Sequence, residues 1–88
     1  MSDAQSRLER RSVKALESCG YECLRLTGRD RWNILALSQT DAILVKVARD
    51  APTPEETEDL KSLRCPENCR KIIHRWRRRA RLPDVLVL

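Results

Sequence analysis

RWNILALSQTDAILVKVARD, residues 31–50, decides how the rest of the chain is read. Residues 32–37 form a short apolar run with Asn33 near its start. Residues 38–41, Ser-Gln-Thr-Asp, are polar and turn-like. Residues 42–48 form a second apolar run, rich in β-branched side chains and broken once by Lys46. Two such runs across a short polar turn predict a β-hairpin. Apolar side chains on both faces suit strands in the middle of a covered sheet. On the second strand Leu44, Lys46 and Ala48 share one face, and Ile43, Val45 and Val47 share the other. Asn33 and Lys46 are then polar groups in covered strands, and such groups need partners.

Working outward, the run from residue 4 to 18 has helical periodicity. Ala4, Leu8, Ala15, Leu16 and Cys19 form a narrow apolar stripe with Val13 on its flank, and Ser2 or Asp3 is placed to cap it. Gly20 stands where a helix C′ glycine belongs. Residues 21–27 read as a first strand and residues 28–31 as a loop into the hairpin. Beyond the hairpin, Pro52 and Pro54 break the chain. Thr53 as N-cap, Pro54 at N1 and Glu56 at N3 make a capping box, opening a second helix to about residue 63. Residues 65–68 read as a loop, residues 70–76 as a strand, and residues 85–88 as an apolar end suited to an edge strand. The order is α-β-β-β-α-β with a last β: an α/β class, with a mixed sheet flanked by two helices.

The 88 residues suit a single domain with a small core. A net charge of +5 with 35% charged residues points to an anionic partner, DNA or RNA before others. No apolar run approaches the ~20 residues of a membrane span. The N-terminus has no apolar core of a secretory signal, so a cytoplasmic protein is expected. Cys19/Cys23 and Cys65/Cys69 form two C-x3-C pairs. Their spacing is compatible with zinc, but free thiols in a reducing compartment are the favoured reading, with a disulfide as the third.

Arg70, Lys71, Arg75, Arg77, Arg78, Arg79 and Arg81 crowd the C-terminal quarter. Arginine suits bidentate phosphate contact, and these charges are too dense for the acidic second helix to pair them all. With Arg29, Arg31 and Lys46 they are the expected nucleic-acid-binding residues. The alternative is a solvated edge paired with the acids at 55–59. Trp32 and Trp76 are expected in the core, because there is no Phe to fill it. His74, the single histidine, reads as structural or solvent-facing rather than catalytic.

The element order and several short words resemble the PD-(D/E)XK nuclease superfamily, and within it proteins similar to Holliday junction resolvases. The residues that carry the likeness are RLERR at 7–11, Gly20-Tyr21, residues 28–34, residues 43–50, Pro54-Glu55-Glu56 and the basic stretch 73–81. The resemblance implies a small restriction-endonuclease-like core. It also implies an acid on the first helix, an Asp opening the second strand, and an acid or Gln two residues before a Lys on the third. Together these hold a divalent ion that activates water at a phosphate. Glu9 matches the helix acid. Asn33 stands at the Asp position, Lys46 at the acid position and Ala48 at the Lys position. Asn is a neutral ligand, and Lys46 brings a cation where the metal would sit.

The expectation is therefore a nucleic-acid-binding protein on a nuclease-like fold that has lost catalysis, with Glu9, Asn33 and Lys46 as vestigial site positions. Lys46 either touches phosphate directly or pairs with Glu9 or another carboxylate. Asn33 is either a relic of the site or a hydrogen-bonding partner for a neighbouring loop. No cofactor is expected, or Mg²⁺ if the site is active. That active alternative is a metal-dependent endonuclease or resolvase using Asp30, Asp41 or Asp50. The remaining alternative is a protein-interaction module, such as a homodimer regulating a catalytic partner through the 85–88 edge.

Overall fold

The computed structural model describes residues 3–26 and 32–88. Helix α1 (Asp3–Glu17) leads into β1 (Glu22–Arg25), β2 (Ile34–Leu37) and β3 (Ala42–Ala48). Helix α2 (Pro54–Lys61), β4 (Cys69–Arg75) and β5 (Asp84–Val87) follow. The five strands lie in the order β1-β2-β3-β4-β5. All neighbours pair antiparallel except β3 and β4, which run parallel with α2 as their crossover. Architecture and element order match the expected α/β class with a mixed sheet flanked by two helices, and the last strand forms as an edge. Of the two expected caps, Ser2 lies outside the described residues and Asp3 is the first residue of α1.

The predicted hairpin is β2–β3, with Ile34 opposite Val45 and Leu37 opposite Ala42. Its turn closes through the Ser38 N–H to the Asp41 carbonyl at 2.9 Å, and Ser38 Oγ accepts the amides of Thr40 and Asp41. The central position expected for the second run is observed, since β3 has two strands on each side. The first strand is shorter than expected, four residues rather than the run 21–27. Leu24 on it is 57% exposed, because β1 is a sheet edge and that face carries little cover.

Two layers of core follow from strand alternation. On one face Ile34, Ala36, Ile43, Val45, Val47, Ile72 and Trp76 pack with Leu8 and Leu16 of α1. On the other, Trp32, Leu60 and Ile73 form a smaller cluster with Leu26, Leu44, Leu86 and Leu88 against it. Both tryptophans are buried as expected. The second layer is thin because α2 is eight residues long and buries only Leu60. A thin cover leaves Lys46 and Ala48 half-buried rather than sealed.

Helix α1 stops where Gly20, at φ 91°, turns the chain into β1. Helix α2 opens on the expected capping box. Thr53 Oγ1 accepts the Glu56 amide at 3.2 Å, and Glu56 Oε1 accepts from the Thr53 amide. Its C-terminal turn is tied down by Lys71, whose ammonium donates to the carbonyls of Lys61 and Leu63.

Within the apolar stripe of α1, Ser12 interrupts the column between Leu8 and Leu16 and is fully buried. Trp76 Nε1 donates to Ser12 Oγ at 2.7 Å, and His74 Nδ1 lies 3.0 Å from the same oxygen. His74 is 3% exposed. Of the two expected settings, structural or solvent-facing, it takes the first. Burial lowers its pKa from the ordinary value, so the ring is held neutral. The hydroxyl accepts from the indole and is free to donate to the imidazole Nδ1.

Candidate nucleic-acid interface

Two clefts open where the parallel pair β3 and β4 ends, and they meet at Arg49 and Asp50. One, of about 630 Å³, is lined by Gln5, Asn33, Lys46, Ala48, Arg49, Asp50, Glu56 and Leu60 among others. The second, of about 680 Å³, is lined by Arg11, Arg49, Asp50, Arg75, Trp76, Arg77, Arg78 and Arg79 together with Leu8. Of the sequence-predicted positions, Asn33, Lys46 and Ala48 thus come together in the first cleft. They do so because the β2–β3 register sets Asn33 just before β2, beside the C-terminal half of β3.

Asn33 extends the ladder beyond β2. Its amide donates to the Val45 carbonyl at 2.9 Å, and its Oδ1 accepts the Val47 amide at 2.7 Å. Its hydrogen-bond partner is thus the neighbouring strand, not a loop. The side-chain oxygen that would face a metal is already engaged by backbone.

Glu9 lies on the α1 side. Arg25 Nη2 donates to its Oε1 at 3.0 Å, and Gln5 Nε2 to its Oε2 at 3.2 Å. Of the settings weighed for Lys46, a pair with Glu9 is not seen, because alternation along β3 points Lys46 to the α2 face. The acids near Lys46 are Glu56 and Asp59, which line a small cavity with it and Leu60. Glu56 is also part of the capping box.

A divalent ion of the kind the sequence resemblance implies needs several oxygen ligands, mostly carboxylates. The residues present do not supply that set. The Asn33 oxygen accepts from backbone, Glu9 is ion-paired to Arg25, and Lys46 contributes a positive charge. No group of three or more His, Cys, Asp or Glu side chains suited to a metal occurs among the described residues.

Of the other acids named, Asp30 lies outside the described residues. Asp41 sits at the opposite end of β3, where Ser38, Arg70 and Tyr21 hydrogen-bond its carboxylate and hold its pKa below the ordinary value. Asp50 lines both clefts.

The basic segment does not act as one face. Arg70 and Lys71 stand at the start of β4, and Arg77–Arg81 follow its far end, seven residues of extended chain away. Arg70 is taken up by Asp41 at 2.7 Å and Tyr21 at 3.1 Å, and Lys71 by the end of α2. Arg77 pairs with Asp84 at 2.7 Å. Among the described residues no ion pair joins these cations to Glu55, Glu56 or Glu58 of α2. Arg49, Arg75, Arg78, Arg79 and Arg81 take part in no ion pair among the described residues. Arg29 and Arg31 lie outside the described residues.

Sequence reasoning missed Arg49, Arg11 and the Ser12–His74–Trp76 cluster. Arg11 lies over the Trp76 ring at 4.3 Å and donates to the Ala80 carbonyl, bracing the basic turn. The signal for Ser12 was present: it is the polar residue midway between two leucines at helical spacing, facing His74 and Trp76 at strand spacing.

The four cysteines do not converge. Across the sheet Cys23 is aligned with Ala36, Ala36 with Ile43 and Ile43 with Arg70, so three strand spacings, about 14 Å, separate Cys23 from the start of β4. All four are free thiols. Cys65 and Cys69 neighbour each other, and burial first, then the Cys65 thiol, raises the Cys69 pKa. No described helix is long and apolar enough to cross a membrane.

The chain matches no protein-family model and no curated protein sequence. Its fold is similar to that of Hjc, a Holliday junction resolvase from the archaeal hyperthermophile Archaeoglobus fulgidus. The TM-score is 0.71 over 89% of this chain and 68% of that one, at 19% identity. At that identity the likeness is one of fold.

Proposed function

We propose that this domain binds DNA or RNA through its phosphate backbone on a nuclease-like fold and does not cut it. The observation that carries the reading is the content of the cleft at Asn33, Lys46 and Ala48. That cleft holds an engaged amide, a cation and a methyl group at the positions where the resemblance would put a metal site, beside a second cleft rich in arginine. Lys46 then offers its charge to phosphate where a nuclease would offer a metal. The fold shared with a Holliday junction resolvase supports nucleic acid as the partner class.

Fluorescence anisotropy with labelled duplex, single-stranded and four-way-junction DNA, and with RNA, tests binding. Mg²⁺ or Mn²⁺ added to the same substrates tests cleavage. Binding without cleavage is expected. Metal-dependent cutting that disappears in Asp50→Ala or Glu9→Ala would instead establish an enzyme with a rebuilt site.

A protein-interaction role has one observation in its favour: Leu82, Val85 and Val87 are 71%, 54% and 72% exposed on and before the β5 edge. A solution mass of twice the chain, lost in Val85→Lys, would support it.

A further inference from the structure

We infer that the two clefts form one track for a single nucleic-acid strand, with Arg75 and Arg49 seating the phosphate where they join. The inference rests on the proposed function and says where on the surface it is carried out.

Four observations carry it. First, Arg75 Nε is buried and has no hydrogen-bond partner among the described residues. A buried guanidinium donor left open is costly, and a phosphate oxygen is the strongest acceptor that could meet it. Second, Arg75 is the register partner of Ala48 on the parallel neighbour, and alternation puts it on the same face as Ile73, toward the Lys46 cleft. Yet it lines the arginine cleft. It therefore stands at the boundary of the two.

Third, Arg49 and Asp50 line both clefts, so the two spaces are continuous past the end of β3. Fourth, the charges along this route are those left over. Arg70, Lys71 and Arg77 are taken up by protein groups, whereas Arg49, Arg75, Arg78 and Arg79 have no ion pair among the described residues. Arg79 is also held at φ 65°, a left-handed conformation unusual for a side chain with a Cβ, at the tip of the same turn.

A flat basic face would suit any polyanion. A line of cations running from Lys46 over Arg49 and Arg75 to Arg78 and Arg79 suits a chain of evenly spaced phosphates. Trp76 is 3% exposed beneath Arg11, so it offers no face for a base to stack on. Recognition here is of phosphate and not of base, and sequence preference is absent.

The test uses the whole chain and a short labelled oligothymidylate. Three variants are compared: Arg75→Lys, which keeps the charge but removes Nε; Arg49→Ala; and Arg78→Ala with Arg79→Ala. Thermal melts confirm folding. A charge-assisted hydrogen bond contributes about 1.5–3 kcal/mol. Affinity is therefore expected to fall about ten-fold or more in Arg75→Lys and in Arg49→Ala. The salt slope should drop by about one in Arg49→Ala and stay unchanged in Arg75→Lys. In ¹⁵N spectra the Arg75 Nε–H resonance should move on adding the oligonucleotide.

Variants that bind like the unaltered protein, with no movement of that resonance, overturn the track. If Arg81→Ala, outside both clefts, weakens binding while those variants do not, the nucleic-acid reading survives without the track. If the unaltered protein binds nothing, both fall. Should Arg75→Lys fail to fold, the exposed Arg49 and Arg78/Arg79 variants and the resonance shift decide alone.

Discussion

Ser12, His74 and Trp76 make one buried unit in which a single hydroxyl serves two rings. Removing it leaves an indole N–H and an imidazole nitrogen without partners under α1. Ser12→Ala is expected to cost about 1–3 kcal/mol in chemical denaturation, more than its one oxygen suggests. The same unit gives stability a pH dependence. Burial holds the folded pKa of His74 below the unfolded value of about 6.5. Above that value both states are neutral and pH does not matter through this group. Below it the unfolded chain takes up a proton that the folded chain resists, so stability falls as pH drops from about 6.5 toward the folded pKa. Urea melts at pH 7 and pH 5.5 should show this loss. His74→Asn, which keeps a polar atom for Ser12, should flatten it; an unchanged slope in that variant would assign the loss to other groups. Asn33 makes a similar point about legibility. Its departure from a nuclease pattern was plain in sequence, but its bond to the Val47 amide was not, because it depends on β2–β3 register continuing past the end of the strand.

Among the elements, α2 shows what local sequence can and cannot tell. Thr53, Pro54 and Glu56 spell a helix start, and the capping box forms as read. The helix then stops at Lys61, short of the expected residue 63, and buries one leucine. A short helix depends heavily on its cap, since nucleation is costly and packing contributes little. Thr53→Ala is expected to lower stability by about 1 kcal/mol, whereas Thr53→Ser should be near neutral. Both are measured by thermal melting. Strand β4 taught the opposite lesson. Its cations were counted correctly, but a seven-residue strand separates them into two groups with different partners. Composition reports charge density; only topology reports which charges are already used.

Over the whole molecule, the net charge of +5 is unevenly spread. Acids gather on α2, and arginines with no ion pair among the described residues gather past the ends of β3 and β4. Binding to duplex or single-stranded DNA should therefore weaken steeply with salt, by roughly one unit of log slope for each phosphate neutralised. Arg77→Ala, Arg78→Ala and Arg79→Ala combined should flatten that slope and reduce affinity uniformly across sequences. A slope near zero in the unaltered protein would mean that the field does no binding. The α/β class, the element order and the central hairpin were legible because each rests on short-range patterns of apolar and turn residues. The meeting of the two clefts was not, because Arg49 and Arg75 are distant in sequence and come together only through the parallel register of β3 and β4.

That parallel pair also sets the order in which the chain assembles. The β2–β3 and β4–β5 pairings join sequence neighbours across a turn or loop without an intervening helix. The β3–β4 seam must wait for the whole stretch 49–68, helix included, to fold back on the sheet. Loop closure on that scale is entropically costly before any contact rewards it. The seam is therefore expected to form last, joining an N-terminal half to the β4–β5 hairpin. In pulse-labelled refolding, the Asn33 amide, bonded to Val45 within the first hairpin, should gain protection before the Trp76 amide, bonded to Ala48 across the seam. The clefts at the ends of these strands would then come into being only at the final step, so a half-folded chain would carry the arginines but not the track between them.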